Sequence, residues 1–162
     1  MENPEAVKHL QAALKEVRVV MLTTVADDGT LQSRPMVVQD LEFEGDLWFF
    51  TSDHSGKAHQ IEHNAQVNVA FVDARFNHYL SASGTAALVS DRAKVEELWS
   101  PAFEIYFPAG IDDPNLTLVK VDVSSIAWWE GPSTLVGKLV GMVKAWVKKD
   151  PSELGEVGAT LA

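Results

Sequence analysis

Near the start of the chain the apolar residues Val7, Leu10, Leu14 and Val17 recur at helical spacing behind an Asn3-Pro4 pair, which reads as a cap followed by proline at the first helical position. One amphipathic helix is predicted. Over residues 18–26 β-branched residues crowd together, Asp27-Asp28-Gly29 offers a turn, and 31–38 resumes a strand-like run, the signature of a β-hairpin. A second turn at Glu44-Gly45-Asp46 leads into a short aromatic strand, Leu47-Trp48-Phe49-Phe50-Thr51.

Residues 55–64 predict a short helix with Ala58 and Ile61 three apart, and 66–73 alternates Val67, Val69 and Phe71 against smaller or polar partners. A further strand is expected over 79–90, where Gly84 marks a bulge or a close approach of another backbone. Asp91 starts a helix reaching about Trp99. Pro101, Pro108, Gly110 and Pro114 then make an irregular loop long enough to suspect a function. Residues 116–123 and 126–129 read as two last apolar strands before a Gly131-Pro132 turn. Leu135, Leu139, Val143 and Val147 space out a closing basic helix over 133–149, and 151–162 lacks pattern and is expected to be a flexible tail. The sum is a mainly β fold with flanking helices: six or seven short strands, no βαβ alternation, and hence a small antiparallel barrel over 1–132 followed by a helix over 133–150 that packs on it or across a dimer.

Composition narrows the function classes. With 162 residues, 46% hydrophobic, the chain supports one domain. It has no cysteine, which excludes disulfides, thiolate metal sites and cysteine nucleophiles. A net charge of -10 disfavours nucleic acid and anionic membrane as partners. No apolar run is long enough to span a bilayer and the first ten residues are polar, so a cytoplasmic location is expected.

Phosphate-loop and dinucleotide glycine motifs are missing: Gly56-Lys57 is followed by alanine and no GxGxxG follows a strand. His59-Gln60-Ile61-Glu62-His63 has the HxxEH spacing of one zinc protease group, but that chemistry needs a third carboxylate ligand from a downstream helix. A solvated helix face is the expectation, with no metal. More informative are Arg34 and Lys57 beside the hydroxyls of Ser33, Thr51 and Ser55, all within 25 residues of an acidic chain. A guanidinium, an ammonium and hydroxyl donors are what a buried phosphate dianion requires. Backbone groups near Pro35 and Met36 and the Gln39 amide offer edge contacts for a ring system. The competing readings are ordinary: Arg34 in a surface ion pair, Lys57 a solvated helix-start lysine, Ser33 and Ser55 as turn or cap residues, Trp129 in core or dimer packing, and Trp99 in packing or lining a pocket.

Ser33-Arg34-Pro35-Met36, the aromatic strand 47–51, Ser55-Gly56-Lys57, Tyr79-Leu80-Ser81-Ala82-Ser83-Gly84, Leu98-Trp99-Ser100-Pro101, Phe107-Pro108, Asp113-Pro114-Asn115 and Trp129-Glu130-Gly131-Pro132 occur in that order. In these runs, over roughly residues 5–132, the chain resembles the general stress protein branch of the pyridoxamine 5'-phosphate oxidase-like family. The resemblance implies a split β-barrel that binds FMN and works as a homodimer with a flavin at each end of the interface. It places Arg34, Thr51, Ser55 and Lys57 on the phosphate side, Pro35, Met36 and Gln39 along the ring, and Tyr79 and Trp129 as residues reaching the flavin from the partner subunit. Phe50, beside Thr51, joins the cofactor-binding set. In one place the chain departs from the oxidases proper, where an Arg-Leu-His-Asp-Arg run follows the last strand motif: Leu135-Val136-Gly137-Lys138-Leu139 stands there instead. Vitamin B6 oxidation is therefore not expected. The expected function is a flavin-dependent oxidoreductase of unassigned substrate. The alternatives are a non-catalytic flavin-binding or redox-buffering stress protein, a barrel holding deazaflavin or haem, and a helix-docking interaction protein.

Overall fold

The computed structural model describes residues 3–39 and 43–131, helical positions at Met142, Lys144 and 146–148, and the strand backbone of Glu156–Leu161. Helix α1 (Pro4–Glu16) begins where the sequence predicts. The Asn3 side chain accepts hydrogen bonds from the Glu5 and Ala6 amides, and Ala6, Leu10 and Leu14 are buried. Strands β1 (Val19–Val25) and β2 (Leu31–Val37) form the expected hairpin, with β3 (Asp46–Ser52), helix α2 (Gly56–His63) and β4 (Gln66–Asp73) after it. Then come β5 (His78–Val89), helix α3 (Arg92–Leu98), two short 3₁₀ turns (Pro101–Ile105 and Gly110–Asp112), β6 (Leu116–Glu130) and β7 (Glu156–Leu161).

All pairings are antiparallel, in the order β2-β1-β4-β5-β6-β3, and β7 shares an edge of β6 with β3. Just beyond β2 the Gln39 amide donates to the Trp48 carbonyl of β3 at 3.0 Å, curling the two ends of the sheet toward each other. This is a mainly β split barrel. Its interior holds Leu22, Phe49, Val69, Phe71, Val119, Val121 and Ile126, with Leu10 and Leu14 of α1 packed against them.

Two expectations need correction. The strands expected over 116–123 and 126–129 are one strand, β6. Its buried positions run through Thr117, Val119, Val121 and Val123, then switch phase to Ile126 and Trp128. The switch coincides with a bulge opposite Ser83/Gly84, where β6 carries one extra residue, Ser124. Gly84 is required there because an added Cβ would lie 1.9 Å from the Asp122 carbonyl oxygen. The second correction concerns the tail: Glu156–Leu161 is a strand laddered on β6 from Ser125 to Glu130. A short segment without alternation can pair this way because backbone hydrogen bonds hold it. The helix expected over 133–149 lies outside the described residues except for its helical positions Met142, Lys144 and 146–148, where Trp146 and Val147 are exposed. Among the described residues no helix is long and apolar enough to cross a membrane.

The loop 101–115 belongs to a second apolar cluster outside the barrel. Phe107 and Val95 pack on Phe50 and Leu118, with Trp99 and Phe103 around them. Arg92 tethers the loop, reaching Asp112 at 2.9 Å and the Ile111 carbonyl at 2.8 Å.

Candidate functional site

Arg34 stands opposite the fully buried Leu22 in the β1–β2 ladder, so its side chain lies on the core-facing side of the hairpin. There the guanidinium meets α2. Nη1 donates to the Thr24 hydroxyl at 2.6 Å and to the Leu22 carbonyl at 3.3 Å, while Nη2 donates to Gln60 Oε1 at 3.0 Å. The same Gln60 oxygen accepts from the Thr24 hydroxyl, and its Nε2 donates to Gln32 Oε1 at 2.8 Å. Residues of β1, β2 and α2 thus fix the orientation of one cation.

Lys57 sits in the first turn of α2. Ser55 caps that helix by accepting from the Ala58 amide, and its hydroxyl lies 3.1 Å from the buried Thr51 hydroxyl at the end of β3. Burial pushes the Lys57 ammonium below the usual lysine range, and the nearby Arg34 charge pushes it the same way. Burial alone lowers the Arg34 value. Among the described residues neither cation has a carboxylate partner. Two half-buried positive charges at a helix start rich in hydroxyls, with no carboxylate partner among the described residues, are the groups that could hold an anion.

Arg34, Thr51, Ser55 and Lys57 are thereby brought together. The other expected residues are not. Ser33 follows the strand alternation to the outer face, on the side opposite Arg34, where its hydroxyl lies 2.7 Å from that of Thr23. Pro35 is exposed beside it, whereas Met36 packs against the core. The Gln39 amide group donates to the Val37 carbonyl at 2.7 Å. Phe50 points away from the barrel interior and makes an edge contact with Trp99 at 5.6 Å and a tilted one with Phe103 at 5.1 Å. Trp99 accordingly packs within that cluster. Tyr79 and Trp129 are paired across β5 and β6, and both are exposed on the outer face. In the strand order Tyr79 lies three strands and Trp129 four strands from Arg34, and both are on the opposite face of the sheet.

Residues 5–153 match the pyridoxamine 5'-phosphate oxidase-like family along nearly the whole chain. The chain belongs to that family. Among solved structures, the general stress FMN/FAD binding protein of Xanthomonas citri is 31% identical with a TM-score of 0.71, covering 82% of this chain and 94% of its own. A protein of Jannaschia sp. CCS1 described as a general stress protein 26 candidate superposes with a TM-score of 0.77 at 22% identity, covering 99% of this chain and 100% of its own. Protein bli-3 of Neurospora crassa is 25% identical over 147 residues, 85% of this chain and 70% of its own length.

In this family member Thr24, Gln32 and Gln60 are supporting residues that sequence reasoning missed. Gln32 and Arg34 share a strand face two residues apart, and Gln60 lies one turn beyond Lys57. Both periodicities are visible in the chain, yet they converge only because α2 packs over the hairpin. A cleft of about 560 Å³ lies elsewhere, between α1 and the ends of β4, β5 and β6. There His9 stacks on Trp128 at 4.6 Å and its Nδ1 lies 2.7 Å from Glu130 Oε1. Of the expected site residues only Tyr79 borders it.

Proposed function

We propose that this chain binds FMN, with the phosphate held by Arg34, Lys57, Ser55 and Thr51, and that it works as a flavin-dependent oxidoreductase on a small substrate. The observation that carries this reading is the pair of half-buried cations lacking a carboxylate partner among the described residues, both lowered in pKa by burial. Such a pair is unfavourable until an anion arrives, and the terminal phosphate of FMN supplies two charges. The flavin-binding character of the Xanthomonas citri relative points the same way. When bound, the flavin supplies two-electron and one-electron transfer. The chain's own share would be to fix the phosphate and to offer the ring backbone groups of β2 near Pro35 and Met36.

Among the described residues the cleft between α1 and the ends of β4, β5 and β6 lies away from Arg34. A homodimer would enclose the ring at its interface. The outer face carries Val72, Tyr79 and Trp129 as exposed large apolar side chains, and a two-fold interface built on it would set Tyr79 and Trp129 of one protomer toward the flavin of the other.

Leu135-Val136-Gly137-Lys138-Leu139, standing where the oxidases proper carry arginine and histidine, favours a second reading: a flavin holder that buffers redox state without a dedicated substrate.

The test is a titration of the purified full chain with FMN, riboflavin and FAD, followed by flavin fluorescence, together with light scattering. FMN binding much more tightly than riboflavin, in a dimer, is expected. Equal affinity for FMN and riboflavin would remove the phosphate site. A monomer that still binds FMN would remove the interface. Turnover with NADH or NADPH would separate the enzyme from the holder.

A further inference from the structure

We propose that Asp27, His59 and His63 form a site for a divalent transition-metal ion of the zinc class, clamping α2 to the turn of the β1–β2 hairpin. His59 and His63 are one helical turn apart on the exposed face of α2, with ring centroids 4.1 Å apart. The third ligand comes from upstream in the chain rather than from the downstream helix that a protease pattern demands. Asp27, in the hairpin turn, places its Oδ2 3.3 Å from His59 Nε2.

The distances suit a metal. Zinc bonds of about 2.0–2.1 Å in a tetrahedron set neighbouring ligand atoms about 3.3–3.4 Å apart. The Asp27–His59 edge already has that length, and all three ligand atoms lie within 4.8 Å of one another. Closing the remaining gap takes only side-chain rotation, since all three residues are exposed.

The arrangement around the ligands is selective. His63 Nδ1 lies 2.8 Å from the His59 carbonyl, and a carbonyl can only accept, so Nδ1 carries the proton and Nε2 keeps a free lone pair. A backbone carbonyl on the distal nitrogen is the usual support of a metal-binding histidine. Asp28, the neighbouring carboxylate, is committed to the Thr30 amide and hydroxyl at 2.9 and 2.6 Å, which leaves Asp27 as the carboxylate facing the helix. Two imidazoles and one carboxylate favour Zn²⁺, Ni²⁺ or Cu²⁺ over Mg²⁺ or Ca²⁺. Three protein ligands leave a fourth position for water or a small anion. The adjoining hollow of about 310 Å³, lined by Val25, Ala26, Asp27, Gly29, His63 and Asn64, provides the room.

An ion here would join the same two elements that Gln60 joins through Arg34 and Thr24. It would therefore stiffen the seat of Lys57 and Arg34 without touching either.

The test is Zn²⁺ titration of the full chain in phosphate-free buffer, in competition with a chromogenic chelator, on wild type, His59→Gln, His63→Ala and Asp27→Asn. Glu62→Gln and His54→Ala serve as exposed controls. One Zn²⁺ per chain is expected. Losing a supporting group beside a metal already costs about 10- to 100-fold in affinity, so each ligand variant should lose at least that, while both controls bind as wild type. Zn²⁺ should raise the melting temperature of wild type and of the controls but not of the ligand variants, whose metal-free melting temperatures stay at the wild-type value because the sites are exposed. Zinc affinity unchanged in His59→Gln and His63→Ala, or no Zn²⁺ binding by wild type at all, would overturn the proposal.

Discussion

Lys57→Met separates a residue kept for its ligand from one kept for the fold. The lysine makes no ion pair among the described residues, it is half-buried, and Arg34 lies close enough to depress its pKa further. In the ligand-free protein its charge is therefore a liability. Replacing it with methionine keeps the stem and removes both the desolvation and the repulsion. For a partly solvated charge this is worth about 0.5–1 kcal/mol, the scale of exposed charge pairs. In a chain of this size that raises the melting temperature by about 1–4 °C. FMN affinity moves the opposite way. A hydrogen bond to a charged group contributes about 1.5–3 kcal/mol, so binding weakens by about tenfold to 150-fold. Riboflavin affinity stays constant, because riboflavin has no phosphate. The assay is scanning fluorimetry in phosphate-free buffer beside parallel FMN and riboflavin titrations. A variant less stable than wild type with an unchanged FMN-to-riboflavin ratio would refute the reasoning and make Lys57 a structural residue.

Gln60→Ala removes the acceptor shared by Thr24 and Arg34; two buried or half-buried hydrogen bonds put the loss at about 2–3 kcal/mol, read from urea unfolding, and FMN affinity should fall because the guanidinium is no longer held. Gly84→Ala drives a Cβ into the Asp122 carbonyl and should cost about 3 kcal/mol or more, or prevent folding, as judged by circular dichroism. On the alkaline side, the depressed Lys57 value means that the unfolded chain holds its proton where the folded chain has released it. Ligand-free stability should therefore gain with rising pH between the lowered value and the ordinary lysine value, while FMN affinity declines over the same range; Lys57→Met abolishes both slopes, and their persistence in that variant would assign them to another group.

What could be read along the chain was whatever depends on near neighbours. The Asn3 cap with proline after it, the Asp27-Asp28-Gly29 turn and the alternation of Val67, Val69 and Phe71 each act within a few residues, and α1, the first hairpin and β4 stand where those signals put them. That Arg34 and Lys57 stand close in sequence to the hydroxyls of Thr51 and Ser55 was likewise visible along the chain.

Tertiary structure decided the rest. Ser33 and Arg34 are adjacent in sequence, yet the pleat sends one to the outer face and the other to α2, and only the burial of Leu22 shows which is which. The apparent gap after Val123 is a phase change at a bulge, set by the strand alongside rather than by β6 itself. Glu156–Leu161 becomes a strand because a free edge of β6 waits beside it, a fact no local pattern carries. Asp27 meets His59 and His63 across more than thirty residues of chain, and Gln60 meets Arg34 across 26, because packing α2 over the hairpin makes neighbours of residues whose spacing along the backbone says nothing about their distance.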